Sequence, residues 1–191
     1  MPCPKQEGRV RRALARFERL EALGRCQVLY ADESGFCLLP SVPYLWQKKG
    51  QTVGLPSSAH GQRFNVLGIL RPGDNRLWYR ATTEPVRSEQ VIEAIESLLP
   101  ELTCPSVLVL DNAGVHRSHA MRERLGEWRR RGLRLLFLPP YRPELNRIEV
   151  LWRQVKYRWL GLDAYRSFSF LCQSVRSVLD NVGGRYRISF G

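Results

Sequence analysis

At 191 residues the chain is long enough to bury a core without covalent or metal staples and short enough to form one domain. Lys and Arg number 30 against 18 Asp and Glu, a formal net charge of +12, which points to a polyanionic partner such as nucleic acid and away from a small neutral ligand. No apolar run approaches the roughly 18 residues needed to span a bilayer, no signal-peptide core opens the chain, and the five scattered cysteines include no Cys-x-x-Cys pair, so a soluble intracellular protein with reduced thiols is expected.

Residues 1 to 8 read as disordered. From Arg9 to Leu23, Val10, Leu14, Phe17 and Leu20 recur at helical spacing with arginines between them, and Gly24 ends the pattern. This is a basic amphipathic helix, a docking or linker element rather than a reader of DNA, and residues 1–24 are set apart from a main domain at 25–191. Gln27 to Asp32 is a short apolar strand that ends in two acids, Asp32 and Glu33. Residues 34 to 62 are irregular, with a basic tip at Lys48 and Lys49. Asn65–Leu70 and Leu77–Ala81 are strands joined by a tight turn, hence an antiparallel hairpin. Ser88 to Leu99 is a helix that Pro100 stops. Ser106 to Leu110 is a continuous apolar run ending at Asp111, the pattern of a central parallel strand. His119 to Arg131 is a helix closed by Gly132, Leu133 to Leu138 a fifth strand, and Ser167 to Val182 a last helix.

Between the fifth strand and the last helix, Pro139, Pro140 and Pro143 exclude regular structure. A helix begins near residue 146, with Asn146 as its N-cap and Glu149 completing a capping box ahead of Ile148, Leu151, Trp152, Val155 and Trp159. Three meandering strands followed by helix-linked parallel ones make a mixed five-stranded α/β sheet with helices on both faces.

Asp32 and Asp111 stand where apolar strands run out, and Glu149 stands in the first turn of a helix after another strand. Each has an ordinary explanation, as turn residue or cap. Together they have a chemical one. Ligands gather outside the carboxyl ends of strands in such sheets, and three carboxylates in one place repel each other unless a cation joins them. An all-oxygen donor set favours Mg2+ or Mn2+ over zinc, and two such ions about 4 Å apart promote phosphodiester displacement.

The blocks Tyr30-Ala31-Asp32-Glu33-Ser34-Gly35 and Leu110-Asp111-Asn112-Ala113-Gly114-Val115-His116, with the stretch from Leu138 to Trp152, resemble the three signature blocks of DDE transposases. The resemblance is to the bacterial insertion-sequence relatives of the mariner elements. The third block follows the pattern Leu-Pro-Pro-Tyr-Ser-Pro-Glu-Leu-Asn-Pro-Ile-Glu in all but two places, and 37 residues separate Asp111 from Glu149. The resemblance implies an RNase H-like catalytic domain with Asp32, Asp111 and Glu149 as the metal-binding acids, holding Mg2+ or Mn2+ as two ions. It implies cleavage of DNA at transposon ends, joining of a 3′-hydroxyl to target DNA, a homodimer in the active complex, and action on DNA in the bacterial cytosol. Alternatives that keep the same fold are a truncated, non-catalytic DNA-binding remnant and an RNase H-like nuclease without transposition activity.

Two departures are specific. Arg142 stands where the pattern has serine and Arg147 where it has proline; they are either phosphate ligands beside the site or solvated surface charge. Family members also carry helix-turn-helix units ahead of the first acid, whereas about 25 residues precede the first strand here. A separate helix-turn-helix polypeptide for end recognition, a fragment, or a decayed copy is therefore expected. Lys48, Lys49, Arg153 and Lys156 are further candidates for the DNA backbone, and Trp46 either stacks on a base or anchors a loop. Glu33, Asn112 and His116 are possible accessory residues, His116 either acting at the site or holding its loop. His60 and His119 read as surface residues.

Overall fold

The computed structural model describes residues 4–39, 49–50 and 61–190. Five strands form one sheet in the order β3-β2-β1-β4-β5, comprising β1 (Gln27–Phe36), β2 (Phe64–Arg71), β3 (Arg76–Thr82), β4 (Ser106–Leu110) and β5 (Leu133–Phe137). The β1–β2 and β2–β3 pairs are antiparallel, and β1–β4 and β4–β5 are parallel. The mixed sheet expected from the order of elements is thus the one formed.

Helices α1 (Pro4–Ala22), α2 (Ser88–Leu98), α3 (His119–Arg130), α4 (Ile148–Gln154) and α5 (Phe168–Asp180) cover the sheet. Strand alternation divides the core in two. Val28 and Tyr30 of β1, Val66 and Leu70 of β2 and Val107 and Val109 of β4 face one way, against α1, α4 and α5 through Leu14, Ile148, Trp152, Leu171 and Val175. Leu29, Ala31, Leu67, Ile69, Leu108 and Leu110 face the other way, against Val91, Ile95 and Leu98 of α2 and Met121 and Trp128 of α3.

Several boundaries differ from the expectation. α1 begins at Pro4, not near Arg9, and it is not a free extension: Leu14 is buried in the first core, with Val10, Phe17 and Leu20 packed beside it. Pro100 does not end structure; it sits inside a single 3-10 turn, Leu99–Glu101, that continues α2. Beyond α4 the chain widens into a π-helical turn over Val155–Trp159. Gly132, with φ +87°, closes α3 as expected. Ser167 accepts a hydrogen bond from the Phe170 amide at the start of α5. The four described cysteines are unpaired, and no described helix is long and apolar enough to cross a membrane.

Candidate active site

β1 does not stop at the acids. It runs four residues past Asp32 because β2 continues to pair with it, Asp32 opposite Gly68 and Phe36 opposite Phe64. The parallel partner β4 pairs only as far as Tyr30, opposite Val109. Asp32 is therefore mid-strand on one edge and beyond the ladder on the other, where the sheet opens beside Asp111. Asn146 fills part of this gap. Its side-chain amide donates to the Ala31 carbonyl at 3.0 Å while the residue itself is 3% exposed.

That tie overturns the helix-cap assignment. α4 begins at Ile148 with Arg147 as N-cap and no side-chain cap, so Asn146 and Glu149 do not form a capping box. The Asn146 Nδ2 is tied to the sheet, and its Oδ1, the atom that would accept from the first helical amides, has no hydrogen-bond partner among the described residues. Glu149 is left with its carboxylate uncommitted to the backbone, in the first turn of α4.

Asp32, Asp111 and Glu149 line one cleft of about 420 Å³, together with Asn112, Ala113, Asn146 and the loop from Leu138 to Pro143. Burial, followed by the charges of Glu149 and then Asp111, pushes the Asp32 carboxyl from its ordinary 3.8 up to about 7. Asp111 is held below the usual carboxylate range, first by His116. The His116 Nδ1 lies 2.6 Å from Asp111 Oδ1, and since an ionised carboxylate only accepts, the ring donates from that nitrogen. The Ala113 amide donates to the same oxygen at 3.0 Å. On the far side of the ring, Nε2 sits 3.7 Å from Glu33 Oε1; both atoms are buried and neither has a hydrogen-bond partner among the described residues. Burial also raises the Glu33 carboxyl. His116, 1% exposed, thus both orients Asp111 and holds its loop.

Asp32 has a fixed partner of its own that pattern reading missed. The Trp152 indole N–H donates to Asp32 Oδ2 at 3.1 Å. The ring reaches it by lying over Gly68, where a Cβ would stand 2.8 and 2.9 Å from ring carbons. Glycine opposite Asp32 makes room for the ring, and periodicity had marked Trp152 only as core. Tyr141 was also missed: it is 91% exposed on the wall of the cleft and has φ 58°, a left-handed backbone that is costly for a bulky side chain.

The donor set suits a hard divalent cation: three carboxylates line the cleft, one of them pushed toward its protonated form by burial and then by the charges of the other two, and the buried Asn146 Oδ1 has no partner among the described residues. Among the described residues, no three His, Cys, Asp or Glu side chains are yet gathered as closely as a metal cage requires.

The arginines at the two departures from the block are partly exposed and pair with acids of α1. Arg142 lies 2.8 Å from Glu7, and Arg147 lies 2.9 Å from Glu18. Arg11 adds a pair with Glu144 at 3.2 Å. Lys156 is half-buried with its ammonium 5.4 Å from the Phe36 ring centre. Burial and then the charge of Arg63 lower its pKa, against the opposing pull of Glu149 and Asp32. Arg153 and Lys49 are exposed, and His119 is exposed with Glu123 at 3.5 Å. Lys48, Trp46 and His60 lie outside the described residues.

Comparison with known proteins bears on this geometry. The fold is similar to the Mos1 strand transfer complex, with 18% identity, TM-score 0.61, and coverage of 92% of this chain and 52% of that chain. It is similar to the catalytic domain of Mos1 mariner transposase, with 15% identity, TM-score 0.61, and coverage of 92% and 79%. It also matches the Mos1 mariner paired end complex with Mn, with 18% identity, TM-score 0.58, and coverage of 95% and 62%. The chain spans roughly half to three-fifths of the length of the chains in those complexes. At such identities the likeness is one of fold, an RNase H-like sheet with helices on both sides. No curated protein matches the chain. The family model of the DDE superfamily endonucleases matches residues 27–172, from the start of β1 into α5 and through all three acids, and the chain belongs to that family.

Proposed function

We propose that this chain is the catalytic domain of a transposase that cleaves DNA at transposon ends and joins a 3′-hydroxyl to target DNA. The observation that carries the proposal is the one cleft that Asp32, Asp111 and Glu149 all line, with the Asp32 carboxyl held up to about 7 by burial and by its two acidic neighbours. An acid so placed is poised to ionise when positive charge arrives. Asp32, Asp111 and Glu149 would hold Mg2+ or Mn2+, two ions in this reading. When bound, the metal supplies the positive charge that activates an attacking oxygen and stabilises a leaving one in phosphodiester displacement.

The chain's own residues do the rest. Trp152 holds one oxygen of Asp32 and His116 holds one oxygen of Asp111, so each acid presents a chosen face to the cleft. Lys156, in the field of Asp32 and Glu149, is placed to meet a phosphate that replaces those charges as its partner. The same reading has Arg153 and Lys49 on the DNA path, with Arg142 and Arg147 beside it in their pairs with Glu7 and Glu18. It has a homodimer in the active complex, a separate helix-turn-helix polypeptide for end recognition, and action on DNA in the bacterial cytosol.

The test is nicking of duplex DNA with Mg2+ or Mn2+. Asp111→Asn should abolish nicking while DNA binding in chelator is retained. Nicking that survives Asp111→Asn would reject the assignment of the acids, and wild-type binding without nicking would favour a non-catalytic remnant. Metal-dependent nicking without transfer of a 3′-hydroxyl end would favour a nuclease of another purpose.

A further inference from the structure

α1 segregates its charge. The acids Glu7, Glu18 and Glu21 face the body of the molecule. Glu7 pairs with Arg142 and Glu18 with Arg147, Glu18 also accepts from the Tyr30 hydroxyl at 3.1 Å, and Glu21 accepts from the Val28 amide at 2.8 Å. Leu14 is buried between them, beside Val10 and Phe17. On the opposite side, Arg9, Arg12, Arg16 and Arg19 follow one another at spacings of three, four and three residues, which lays them in a single stripe along the helix. All four are exposed, and none has a carboxylate partner among the described residues. A surface laid out only for solubility would intersperse both signs. Here every acid of the helix is drawn inward and the arginines are left without compensation.

We infer that this stripe is a docking surface for the phosphate backbone of duplex DNA, and that the pairs formed by Arg142 and Arg147 serve to fix it relative to the catalytic cleft. This rests on the reading of the chain as an enzyme acting on DNA. From Arg9 to Arg19 the helix rises ~15 Å, and B-DNA carries about one charge per 1.7 Å of its axis, so the stripe is long enough to meet several phosphates. Guanidinium groups bind phosphate with paired donors and without reading base sequence. The N-terminal end of α1 meets the cleft: Glu7 holds Arg142, a residue of the cleft wall, and Arg11 holds Glu144 of the same loop. Because three ion pairs join α1 to the loop that leads into Glu149, DNA lying on the stripe has a defined position relative to the acids.

The experiment compares two full-length variants with the wild type, each lacking three exposed arginines. One is Arg12→Gln, Arg16→Gln, Arg19→Gln on α1. The other is Arg122→Gln, Arg129→Gln, Arg130→Gln on α3, which packs on the opposite face of the sheet. Glutamine keeps the helix propensity of arginine, and far-ultraviolet dichroism verifies folding. Binding to a short mixed-sequence duplex is followed against salt in the presence of chelator, and nicking is followed separately with Mg2+. Each phosphate contact contributes about 0.9 to the slope of log K on log salt. The α1 variant should lose about 2.7 of that slope, so the wild type loses roughly 40-fold more affinity than the variant between about 50 and 200 mM salt. The α3 variant should keep the wild-type slope. An unchanged slope in the α1 variant, or an equal loss in both, overturns the inference while metal-dependent nicking leaves the proposed function standing. A wild type with no salt-dependent duplex binding overturns both.

Discussion

Asp32→Asn should make the metal-free protein more stable, and increasingly so as the pH rises. Folding carries the Asp32 carboxyl from its ordinary 3.8 to about 7, chiefly by burial and the charge of Glu149. A group whose affinity for its proton is raised on folding favours the folded state at pH values below 3.8 and loses that advantage as the pH climbs through about 7. Across that window the unfolded chain ionises at this position while the folded chain keeps the proton. At about 1.4 kcal/mol for each factor of ten in proton affinity, the ceiling is about 4 kcal/mol against the folded state, and relaxation around the site brings the expected gain for asparagine to roughly 2 kcal/mol. For a domain of this size that is a rise of ~4–8 °C in Tm. Asparagine can still accept the Trp152 hydrogen bond, so no donor is orphaned. Thermal or urea unfolding in chelator, from about pH 4 to about pH 8, reads the difference directly. It should be near zero at the acid end and largest at the alkaline end. Mg2+ should stabilise the wild type and not the variant. A difference that is flat across the range, or a variant less stable than the wild type at alkaline pH, would show that the carboxyl is not held in a hostile environment.

Two other perturbations test the frame around the site. Gly68→Ala places a methyl group 2.8 and 2.9 Å from carbons of the Trp152 ring, which should cost about 1–3 kcal/mol in urea unfolding and displace the ring from Asp32; unchanged stability and tryptophan emission would contradict the packing described. Leu14→Ala should cost about 2–4 kcal/mol in a single unfolding transition, because α1 is built into the first core; no loss would mean that α1 is an appended helix, separable at residue 24.

Asp111 stood out because β4 is an unbroken apolar run with an acid at its end, and a strand covered on both faces has that pattern wherever it occurs. Asp32 was found by the same signal although β1 extends past it. The expected strand end was a change in polarity, whereas the strand itself is defined by pairing with β2. Asn146 misled for a related reason. An asparagine three residues before a glutamate is a common helix start, and only the folded chain shows that the Asn146 Nδ2 reaches Ala31 while α4 begins later, at Ile148. The departures at Arg142 and Arg147 were visible as departures, but their partners Glu7 and Glu18 lie more than a hundred residues away.

From the sequence alone came the order and type of the elements, the sheet as a mixed one, and the acids at the ends of apolar runs. These follow from periodicity and local backbone preference, which act over a few neighbouring residues. Only the folded chain decided what each polar group pairs with: Trp152 with Asp32 above a glycine, His116 with Asp111, α1 with the loop before Glu149. Those pairings join residues brought close by strand order and helix packing, and no local pattern encodes a distance that the tertiary structure alone creates.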